Sequence, residues 1–372
     1  MLPGTSPNTA LTAIRTPHAF ATIITRNHLA HARVLAETLR RHHDEPLHVL
    51  CVDDPVGFFD PAAESFRAVH LADVLPGGHH GMTFFYTAFE LCNALKPFLQ
   101  RWIFDHTPHD RLLYLDADVF PHAPLAPGFA ALDHATILLS PHLLAPCPAQ
   151  DAGDLETLCL RYGVYNGGCI GLRRSDEALR FVNWLASRTA THGFEWWNDA
   201  FVDQLWLNLA PIYFRDVHAW RHPGANVANW NLHERALHRG AAGFTANGEP
   251  LLFAHMSNWS FEAPEDWTMG RPLAADTDRR VIAEIGLAYR DALRAAGYEE
   301  SRRWPYGFGS FTNGRPVTGP MRRDYFRRLM AGCSGSGSPF DHSEWFRGPL
   351  RYVEWKRFVP VAIKRMLMNA AS

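Results

Sequence analysis

The stretch RLLYLDADVF, residues 111–120, ends a continuous apolar run with two carboxylates, Asp116 and Asp118. A short run that is apolar at every position is typical of a strand buried on both faces of a parallel sheet. Since alternate side chains of a strand point to the same face, both carboxylates are expected to leave the strand end on one side. Two like charges that close repel each other, so the pair favours a bound divalent cation, Mn²⁺ or Mg²⁺. The alternative is a plain polar loop, in which aspartate is common.

Two earlier segments also end in polar residues. Residues 20–25 and 47–52 predict strands, and the apolar spacing between them predicts a helix. This order predicts an α/β fold, in which ligands bind beyond the carboxyl ends of the strands. Thr25, Asn27 and Asp53 follow these strands and are candidate nucleoside contacts. For Asp53 the alternative is a helix cap or a turn.

Two further segments carry polar residues within apolar patterns. Residues 84–104 predict an amphipathic helix, interrupted by a Lys-Pro pair that begins at Lys96. A cation there is placed to lie over a diphosphate, and the alternative is a solvated helix lysine. Asn166, Gly167 and Gly168 predict a turn whose backbone a ligand can approach closely, before the chain re-enters the sheet.

Two later segments complete the candidate site. Asp203 and Gln204 interrupt an otherwise apolar helical pattern over residues 196–206, so both need buried partners. His255 ends a predicted strand within residues 251–259 and can deliver an imidazole to the edge that carries the Asp-x-Asp pair. Two carboxylates and one imidazole, with positions left for water or phosphate, suit Mn²⁺ or Mg²⁺.

The composition indicates one large globular domain with an extension. Of the 372 residues 47% are apolar, and the net charge is −2. The charge is uneven, because residues 301–372 hold 13 Lys and Arg against 4 Asp and Glu, whereas the preceding part carries a net −11. We predict a flexible tail over residues 1–17, a catalytic domain over 18–264 and a basic, mostly helical extension over 265–372.

The cysteines and the basic extension bear on location. The six cysteines form no Cys-x-x-Cys pair, which favours reduced thiols in a cytoplasmic protein. No uncharged apolar run approaches the length of a membrane span. Residues 350–368 mix basic and aromatic residues, which predicts peripheral contact with the anionic inner face of a membrane. The alternative is that this segment packs on the domain, and no nucleic-acid partner is expected.

Seven segments together resemble the GT-A glycosyltransferases, and among them the family-eight retaining enzymes. They are FATIITRNHLAHARVLAETL, ALKPFL, LLYLDADVF, YNGGCIGL, DQLWL, NVANWNLHER and FAHMSNW, all within residues 18–262. The resemblance implies a Rossmann-like, mostly parallel sheet flanked by helices. One family feature is absent, since HMSNW begins at His255 in place of His-x-x-Gly-x-x-Lys-Pro-Trp. The family's diphosphate-binding lysine therefore has no counterpart in this stretch.

The resemblance also implies roles for the candidate residues. Asp116 and Asp118 match the Asp-x-Asp pair that holds Mn²⁺, and His255 takes the place of the third protein ligand. Thr25, Asn27 and Asp53 match the nucleoside-binding segment, and Lys96 matches the cationic position near the phosphates. The donor-sugar loop is matched by Asn166, Gly167 and Gly168. The catalytic polar pair beside the anomeric carbon is matched by Asp203 and Gln204.

These observations predict a metal-dependent transferase of polysaccharide biosynthesis. It would move a hexose from a UDP-sugar to a hydroxyl of a glycan or lipid-linked glycan, with retention. One alternative, a sugar-phosphate nucleotidyltransferase, requires a Gly-rich basic loop that TRNHLAHAR does not supply. A phosphatase with an aspartate nucleophile is disfavoured because Asp116 follows several αβ units. The non-enzymatic alternative is an inactive protein that binds nucleotide sugars or glycans.

Overall fold

The computed structural model describes residues 17–75, 80–147, 152–195, 201–333 and 337–346. Two predicted features, the basic segment over residues 350–368 and nearly all of the N-terminal tail, lie outside the described residues.

The described elements comprise strands, α-helices and short 3₁₀ turns. The strands are β1 (His18–Ile24), β2 (Leu47–Cys51), β3 (Arg67–His70), β4 (Arg111–Leu115), β5 (Val119–Pro121), β6 (Ile137–Pro141), β7 (Tyr165–Arg173), β8 (Val217–Ala219), β9 (Leu237–Gly240), β10 (Gly243–Ala246), β11 (Glu249–Pro250) and β12 (Phe253–His255). The α-helices are α1 (Leu29–Arg40), α2 (Leu71–Val74), α3 (His80–Phe85), α4 (Ala88–Ala94), α5 (Lys96–His106), α6 (Ala126–Ala131), α7 (Ala152–Tyr162), α8 (Asp176–His192), α9 (Ala210–Tyr213), α10 (Arg279–Ala295), α11 (Tyr298–Ser301) and α12 (Gly319–Met330). The 3₁₀ turns are Arg26–His28, Pro61–Ala63, Gln204–Leu209, Pro339–Asp341 and Ser343–Phe346.

The central sheet has seven strands in the order β3-β2-β1-β4-β7-β6-β8. Neighbouring pairs are parallel except where β7 pairs with β4 and with β6, so β7 runs opposite to the other six. The start of β7 therefore lies at the same sheet edge as the end of β4. Two smaller sheets, β12-β5 and β11-β10-β9, flank this edge. The predicted α/β architecture, a mixed and mostly parallel sheet with helices, is confirmed.

Strand β1 serves two cores, because its side chains alternate between the faces of the sheet. Ala19, Ala21 and Ile23 belong to a core closed by α4, α5 and α8. Phe20 and Ile24 belong to a second core, closed by α1 and α6. Burying a large apolar side chain stabilises the fold by about 1.5–3 kcal/mol. The sheet is thus covered on both faces, and its carboxyl edge remains for polar residues.

The helical predictions on either side of the site need correction. The prediction of a helix over 84–104 with one interruption at Lys96 is wrong in part, since α5 does begin at Lys96 but a further break separates α3 from α4. The break has a local cause: the Thr87 side chain accepts a hydrogen bond from Glu90 N and caps α4, and α5 then begins at Lys96 with a proline in its first turn. The predicted helix over 196–206 is also wrong over its described part. A left-handed residue, Val202, precedes a 3₁₀ turn there.

The extension packs closely on the sheet domain where it is described. Helix α10 places Val281 and Ile285 in a third core with Ala30 and Val34 of α1. Helix α12 is tied down by one buried side chain, Arg322. Its guanidinium donates to the carbonyl oxygens of Phe84, Tyr86 and Phe308 at 2.6–2.8 Å. None of the described helices combines the length and apolar character that crossing a bilayer requires.

Candidate metal and substrate site

Three chain segments bring the Asp-x-Asp pair and His255 together. Asp116 follows β4 and donates its backbone N–H to Gly168 O of β7 at 2.9 Å. Strand β5 then leads away from the pair and pairs with β12, setting His255 opposite Val119. Met256 N in turn donates to Asp118 O at 3.0 Å. One potential ligand atom from each of Asp116, Asp118 and His255 lies within 4.8 Å of the others. The structure thus assembles the predicted metal ligands at the carboxyl edge of the sheet.

His255 is held by partners on both ring nitrogens. Asn226 Oδ1 lies 3.0 Å from Nδ1 and can accept its hydrogen bond, while Nε2 lies 3.2 Å from Asp118 Oδ1. Burial alone would raise the pKa of the Asp118 carboxyl, but the adjacent imidazole outweighs it and lowers that pKa to about 2. Burial would likewise lower the pKa of His255, whereas Asp118 and Asp116 together raise it. Asp118 and His255 therefore each favour the charged form of the other.

The three side chains fit a hard divalent cation. Two carboxylates and one imidazole nitrogen are donors that Mn²⁺ and Mg²⁺ accept. The side chains of Asp116 and Asp118 are 28% and 34% exposed, so both can be reached from the adjoining cavity. A β-carbon on Gly168 would lie 2.7 Å from Asp116 Oδ2 and overlap the His255 ring. Glycine is therefore required here by the close approach of two side chains, whereas the approach of a ligand to this motif stays a prediction.

Lys96 lies between two carboxylates, beneath the metal ligands. Its ammonium is only 2% exposed and lies 3.1 Å from Asp116 Oδ1 and 3.5 Å from Asp203 Oδ2. It also donates to Gly167 O at 2.9 Å. Burial would lower the pKa of Lys96, but the two carboxylates outweigh it and raise that pKa. The predicted alternative of a solvated helix lysine is wrong, because Lys96 is a buried cation that joins β7 to the Asp-x-Asp segment.

The Asn-Gly-Gly motif forms the start of β7, where a turn was predicted. Gln204 holds it in place, because its Oε1 accepts from Gly167 N at 3.0 Å and from Asn166 Nδ2 at 3.1 Å. Gln204 Nε2 donates to Tyr162 O at 2.9 Å. A bulge opposite this start, between Leu139 and Ser140, accommodates the irregular strand. The Gln204 amide is thus engaged by the chain itself, although the side chain also lines the cavity.

Asp203 is fully buried and faces the backbone of Gly167. A β-carbon on Gly167 would lie 2.8 Å from Asp203 Oδ2. Among the described residues, neither carboxylate oxygen has a hydrogen-bond partner, and the charges that act on Asp203 are those of Lys96, 3.5 Å from Oδ2, and of Asp116. Burial raises the pKa of Asp203 to about 6, although Lys96 acts to lower it. The predicted catalytic role of Asp203 stays a prediction, and the structure places the side chain behind the cavity wall.

The predicted nucleoside contacts separate into two groups. Thr25 lies in the cavity wall, and its Oγ1 lies 2.6 Å from Asn27 Oδ1 and 2.9 Å from His28 Nδ1. Asp53 is 0% exposed and outside that wall. Its oxygens accept from Arg26 N at 2.7 Å and from Gly307 N at 2.9 Å. Asp53 thus joins distant backbone segments, which differs from the local helix cap or turn weighed for it from the sequence, and its nucleoside contact stays a prediction.

One cavity of about 880 Å³ joins these groups. Its polar wall includes Thr25, His28, Lys96, Asp116, Asp118, Asn166, Gln204 and His255. A second part of the wall, from α4, α7 and the residues before Gln204, is mainly apolar: Phe89, Leu155, Leu158, Tyr162 and Phe201. The extension contributes Arg271, Tyr289 and Tyr298 to the same cavity. A predicted boundary at residue 264 therefore runs through the cavity wall.

Sequence reasoning missed several of these positions. Asn226 lies in the quoted segment NVANWNLHER, but nothing in the pattern separates the asparagine that supports His255 from its neighbours. Tyr289 lies at an ordinary apolar position of a helix, which gives no sign that the residue lines the cavity. His28 follows Asn27 directly, and its place after a strand end was a usable signal.

Comparisons with known proteins give distant similarities. No protein-family model matches the chain. In sequence it is similar to two proteins of Bacillus subtilis (strain 168), the uncharacterized proteins YfnF and YfnD. Identity to YfnF is 23% over 262 residues, 65% of this chain and 81% of YfnF. Identity to YfnD is 24% over 271 residues, 67% of this chain and 80% of YfnD.

The similarity to solved structures is also distant. The galactosyltransferase LgtC in complex with donor and acceptor sugar analogs is 14% identical, with a TM-score of 0.44 over 74% of this chain and 95% of LgtC. A glycosyltransferase involved in the glycosylation of the major capsid of PBCV-1 is also 14% identical, with a TM-score of 0.38 over 73% of this chain and 98% of that chain. At these levels the similarities assign neither a family nor an activity, so the functional argument depends on the site itself.

Proposed function

We propose that the chain is a metal-dependent, retaining glycosyltransferase that moves a hexose from a UDP-sugar to a hydroxyl of a glycan or lipid-linked glycan. One observation carries the proposal: Asp116, Asp118 and His255 meet within 4.8 Å at the wall of a cavity large enough for a nucleotide sugar. This edge of an α/β sheet is where such folds bind ligands.

Asp116, Asp118 and His255 would hold Mn²⁺ or Mg²⁺ at this site. When bound, the cation supplies positive charge that neutralises the departing diphosphate. Asn226 keeps the imidazole in the orientation that presents Nε2 toward Asp118. Lys96 adds a fixed positive charge beneath the carboxylates, 3.1 Å from Asp116. The chain thereby holds the ligands in place before any substrate arrives, which limits the reorganisation that binding requires.

The start of β7 would bind the transferred sugar. The two glycines let the Asp203 side chain and the His255–Asp116 pair pack directly against the strand, so these side chains are held next to Asn166. Asn166 is fixed, because its Oδ1 accepts from Gly168 N and its Nδ2 donates to Gln204. In this proposal Gln204 orients the sugar-binding strand, and the Asp203 charge, screened by Lys96, contributes to the field at the reacting carbon. Neither side chain needs to be a strong nucleophile.

The two ends of the cavity would take the nucleoside and the acceptor. Thr25 and His28 line the end near β1, where the resemblance implies nucleoside binding. The wall formed by Phe89, Tyr162 and Phe201 offers aromatic and aliphatic surface for the apolar face of a sugar ring. The Tyr162 and Phe201 rings lie 4.7 Å apart and edge to face, so this surface is ordered without a ligand.

The test is release of the nucleotide and mass analysis of products. The chain is incubated with a panel of nucleotide sugars, glycan acceptors and Mn²⁺, with and without EDTA. We expect UDP release and a hexose mass increase on an acceptor, both abolished by EDTA and restored by excess Mn²⁺. Full turnover in EDTA would overturn the metal assignment. Binding of Mn²⁺ and UDP without release from any donor would favour an inactive nucleotide-sugar-binding protein, and pyrophosphate formation from UTP and a sugar phosphate would favour a nucleotidyltransferase.

We further propose a cytoplasmic location with peripheral contact at the inner membrane face. The proposal depends on the basic residues after residue 346, since each Lys or Arg near an anionic surface contributes about 1 kcal/mol. Removing residues 347–372 should leave an active enzyme that no longer sediments with anionic vesicles at low salt. A truncated protein that melts at a lower temperature, together with a full-length chain that never binds vesicles, would show that the segment is structural.

A further inference from the structure

Of the four buried polar atoms in cavity-wall side chains that have no hydrogen-bond partner among the described residues, two belong to rings that neighbour each other. They are the hydroxyl of Tyr289, on α10, and Nδ1 of His31, on α1. Both residues line the cavity. Tyr289 is 1% exposed, so bulk water cannot form a hydrogen bond with its hydroxyl. Buried polar groups in native structures are nearly always paired, and an exception requires an explanation.

Packing does not explain the tyrosine. Its ring contacts the rings of Trp259 and Phe120, with centroids 5.0 Å and 5.1 Å away. A phenylalanine would make the same contacts without burying an unpaired hydroxyl. The His31 ring lies 6.3 Å from the Tyr289 ring and 5.1 Å from the His28 ring. The two rings that carry the unpaired atoms are therefore neighbours, on the side of the cavity where His28 follows β1.

The Asp118 carboxylate acts electrostatically on both the Tyr289 hydroxyl and the His31 imidazole. Burial first, and Asp118 second, raise the pKa of the Tyr289 hydroxyl, which therefore stays a hydrogen-bond donor. Burial lowers the pKa of His31 to about 3, against the pull of Asp118, so its imidazole is neutral and offers one donor and one acceptor nitrogen. Neutral donors beside a metal-binding carboxylate suit oxygens of a metal-bound nucleotide.

The segment after His255 forms the neighbouring part of the cavity wall. It carries no lysine, and Ser257, Asn258 and Trp259 line the cavity there. Uncharged groups therefore form this wall of the site. Helix α10 is fixed against α1 through Val281 and Ile285, which hold Tyr289 at a constant position relative to His31.

We infer that α10 completes the donor site, with the Tyr289 hydroxyl and His31 hydrogen-bonding the ribose–diphosphate part of the nucleotide held at Asp118. The inference rests on the proposed function and deepens it. It assigns a binding role to a helix that lies outside the region of family resemblance. The first turns of the extension are then part of the substrate site, and the extension cannot be removed at residue 264 without loss of donor binding.

The experiment measures binding of UDP in the presence of Mn²⁺ to the full chain by calorimetry, for wild type and Tyr289→Phe. Because the variant removes one hydroxyl, we expect UDP affinity to fall about 10-fold. The melting temperature without nucleotide should stay equal or rise, since an unpaired buried hydroxyl is lost. His31→Phe, which keeps a ring at that position, should also weaken UDP binding.

Tyr86→Phe is the matched control. The Tyr86 hydroxyl is fully paired, donating to Thr189 O at 2.6 Å and accepting from Gly193 N at 2.8 Å. This variant should melt at a lower temperature and bind UDP as wild type does. Inorganic pyrophosphate with Mn²⁺ separates the two parts of the nucleotide. A Tyr289→Phe penalty seen with both probes assigns the hydroxyl to phosphate, and one seen with UDP only assigns it to ribose.

Two results would overturn the inference, and they differ in what else they overturn. Equal UDP affinity for wild type and Tyr289→Phe, with Mn²⁺ present, would remove the role of α10 and leave the proposed function standing. Absence of UDP binding by wild type at millimolar nucleotide and Mn²⁺ would remove both. A lower melting temperature for Tyr289→Phe with unchanged affinity would show that the hydroxyl is structural.

Discussion

Two acidic strand ends at the same sheet edge, Asp53 after β2 and the Asp116/Asp118 pair after β4, differ in how fully the chain satisfies them. The Asp53 side chain is 0% exposed, and backbone N–H groups of Arg26 and Gly307 bind its two oxygens. Asp116 and Asp118 remain 28% and 34% exposed at a cavity wall. One carboxylate is closed by the protein, whereas the other two are open to a ligand.

The difference shows that an acid at a strand end is not by itself a binding residue. Asp53 joins the sheet to the extension, because Gly307 lies 254 positions further along the chain. The pair after β4 is brought toward His255, and like charges held at that distance favour a cation. Exposure and unfilled hydrogen-bonding capacity therefore distinguish the ligand site from the structural tie.

Removing an open carboxylate should have the largest effect on activity. Asp118→Ala takes one ligand from the proposed metal site, and we expect transfer to fall by at least about 1,000-fold, since the charge on the leaving group is no longer neutralised. The fold should remain, because the loss of the contact between Asp118 and His255 is partly offset by relief of the repulsion with Asp116. Turnover with Mn²⁺ and the melting temperature in EDTA check both parts. A large drop in melting temperature would show that Asp118, like Asp53, is needed for stability.

Closing the open site by bulk should have the next largest effect. Gly168→Ala would push a methyl group against Asp116 Oδ2 and the His255 ring, so we expect Mn²⁺ affinity to fall by about 100-fold. Gly319→Ala is the control, because no atom lies within 4 Å of its added carbon. Competition with a fluorescent Mn²⁺ chelator measures the affinity. Equal affinity for the two variants would show that the cradle around Gly168 does not bind the metal.

Much of this arrangement could be predicted from the sequence. The apolar run before Asp116 predicts a buried strand, and the pattern of strands and helices predicts the α/β sheet. Asp116 and Asp118 follow the end of β4 at the carboxyl edge of the sheet, and His255 ends β12, which reaches them through its pairing with β5 in a separate two-stranded sheet. Local patterns suffice where burial and strand direction decide the position of a side chain.

Other positions depend on contacts that local patterns do not contain. Nothing near Asp53 indicates that Gly307 N will reach it, because that bond joins segments far apart in sequence. Lys96 shows that a lysine in an amphipathic pattern can be buried, here between the carboxylates of Asp116 and Asp203. Val202 similarly replaces a predicted helix by a 3₁₀ turn, since its left-handed backbone ends the helical spacing.

Removing the closed carboxylate should affect stability rather than binding. Asp53→Ala leaves two backbone N–H groups without their acceptor, and each unsatisfied buried donor costs about 1–3 kcal/mol. We expect the free energy of unfolding in urea to fall by about 2–4 kcal/mol, with UDP affinity of the folded protein nearly unchanged. A stable variant that no longer binds UDP would restore Asp53 as the nucleoside contact that its position predicts.

Asp203 is the intermediate case, buried like Asp53 but with no hydrogen bond to either oxygen among the described residues. Asp203→Asn keeps an oxygen toward Lys96 and removes the charge. We expect the turnover number to fall about 10-fold or more, while UDP affinity in Mn²⁺ changes little, because the charge acts on the reaction and not on nucleotide binding. A collapse of affinity with normal turnover of bound donor would make Asp203 a binding residue.

The same variant should change how stability depends on pH. The pKa of Asp203 is raised to about 6 from an ordinary 3.8, so between these values the folded chain keeps a proton that the unfolded chain has lost. The contribution of Asp203 to stability therefore falls as pH rises from about 4 to about 6, and it stays low above pH 6. An asparagine side chain does not titrate, so Asp203→Asn should gain stability relative to wild type across this interval, on the order of 3 kcal/mol. Urea unfolding at pH 4 and pH 7 measures the difference. An equal gap at both pH values would mean that Lys96 neutralises Asp203 completely, and the residue would then belong with the closed carboxylates.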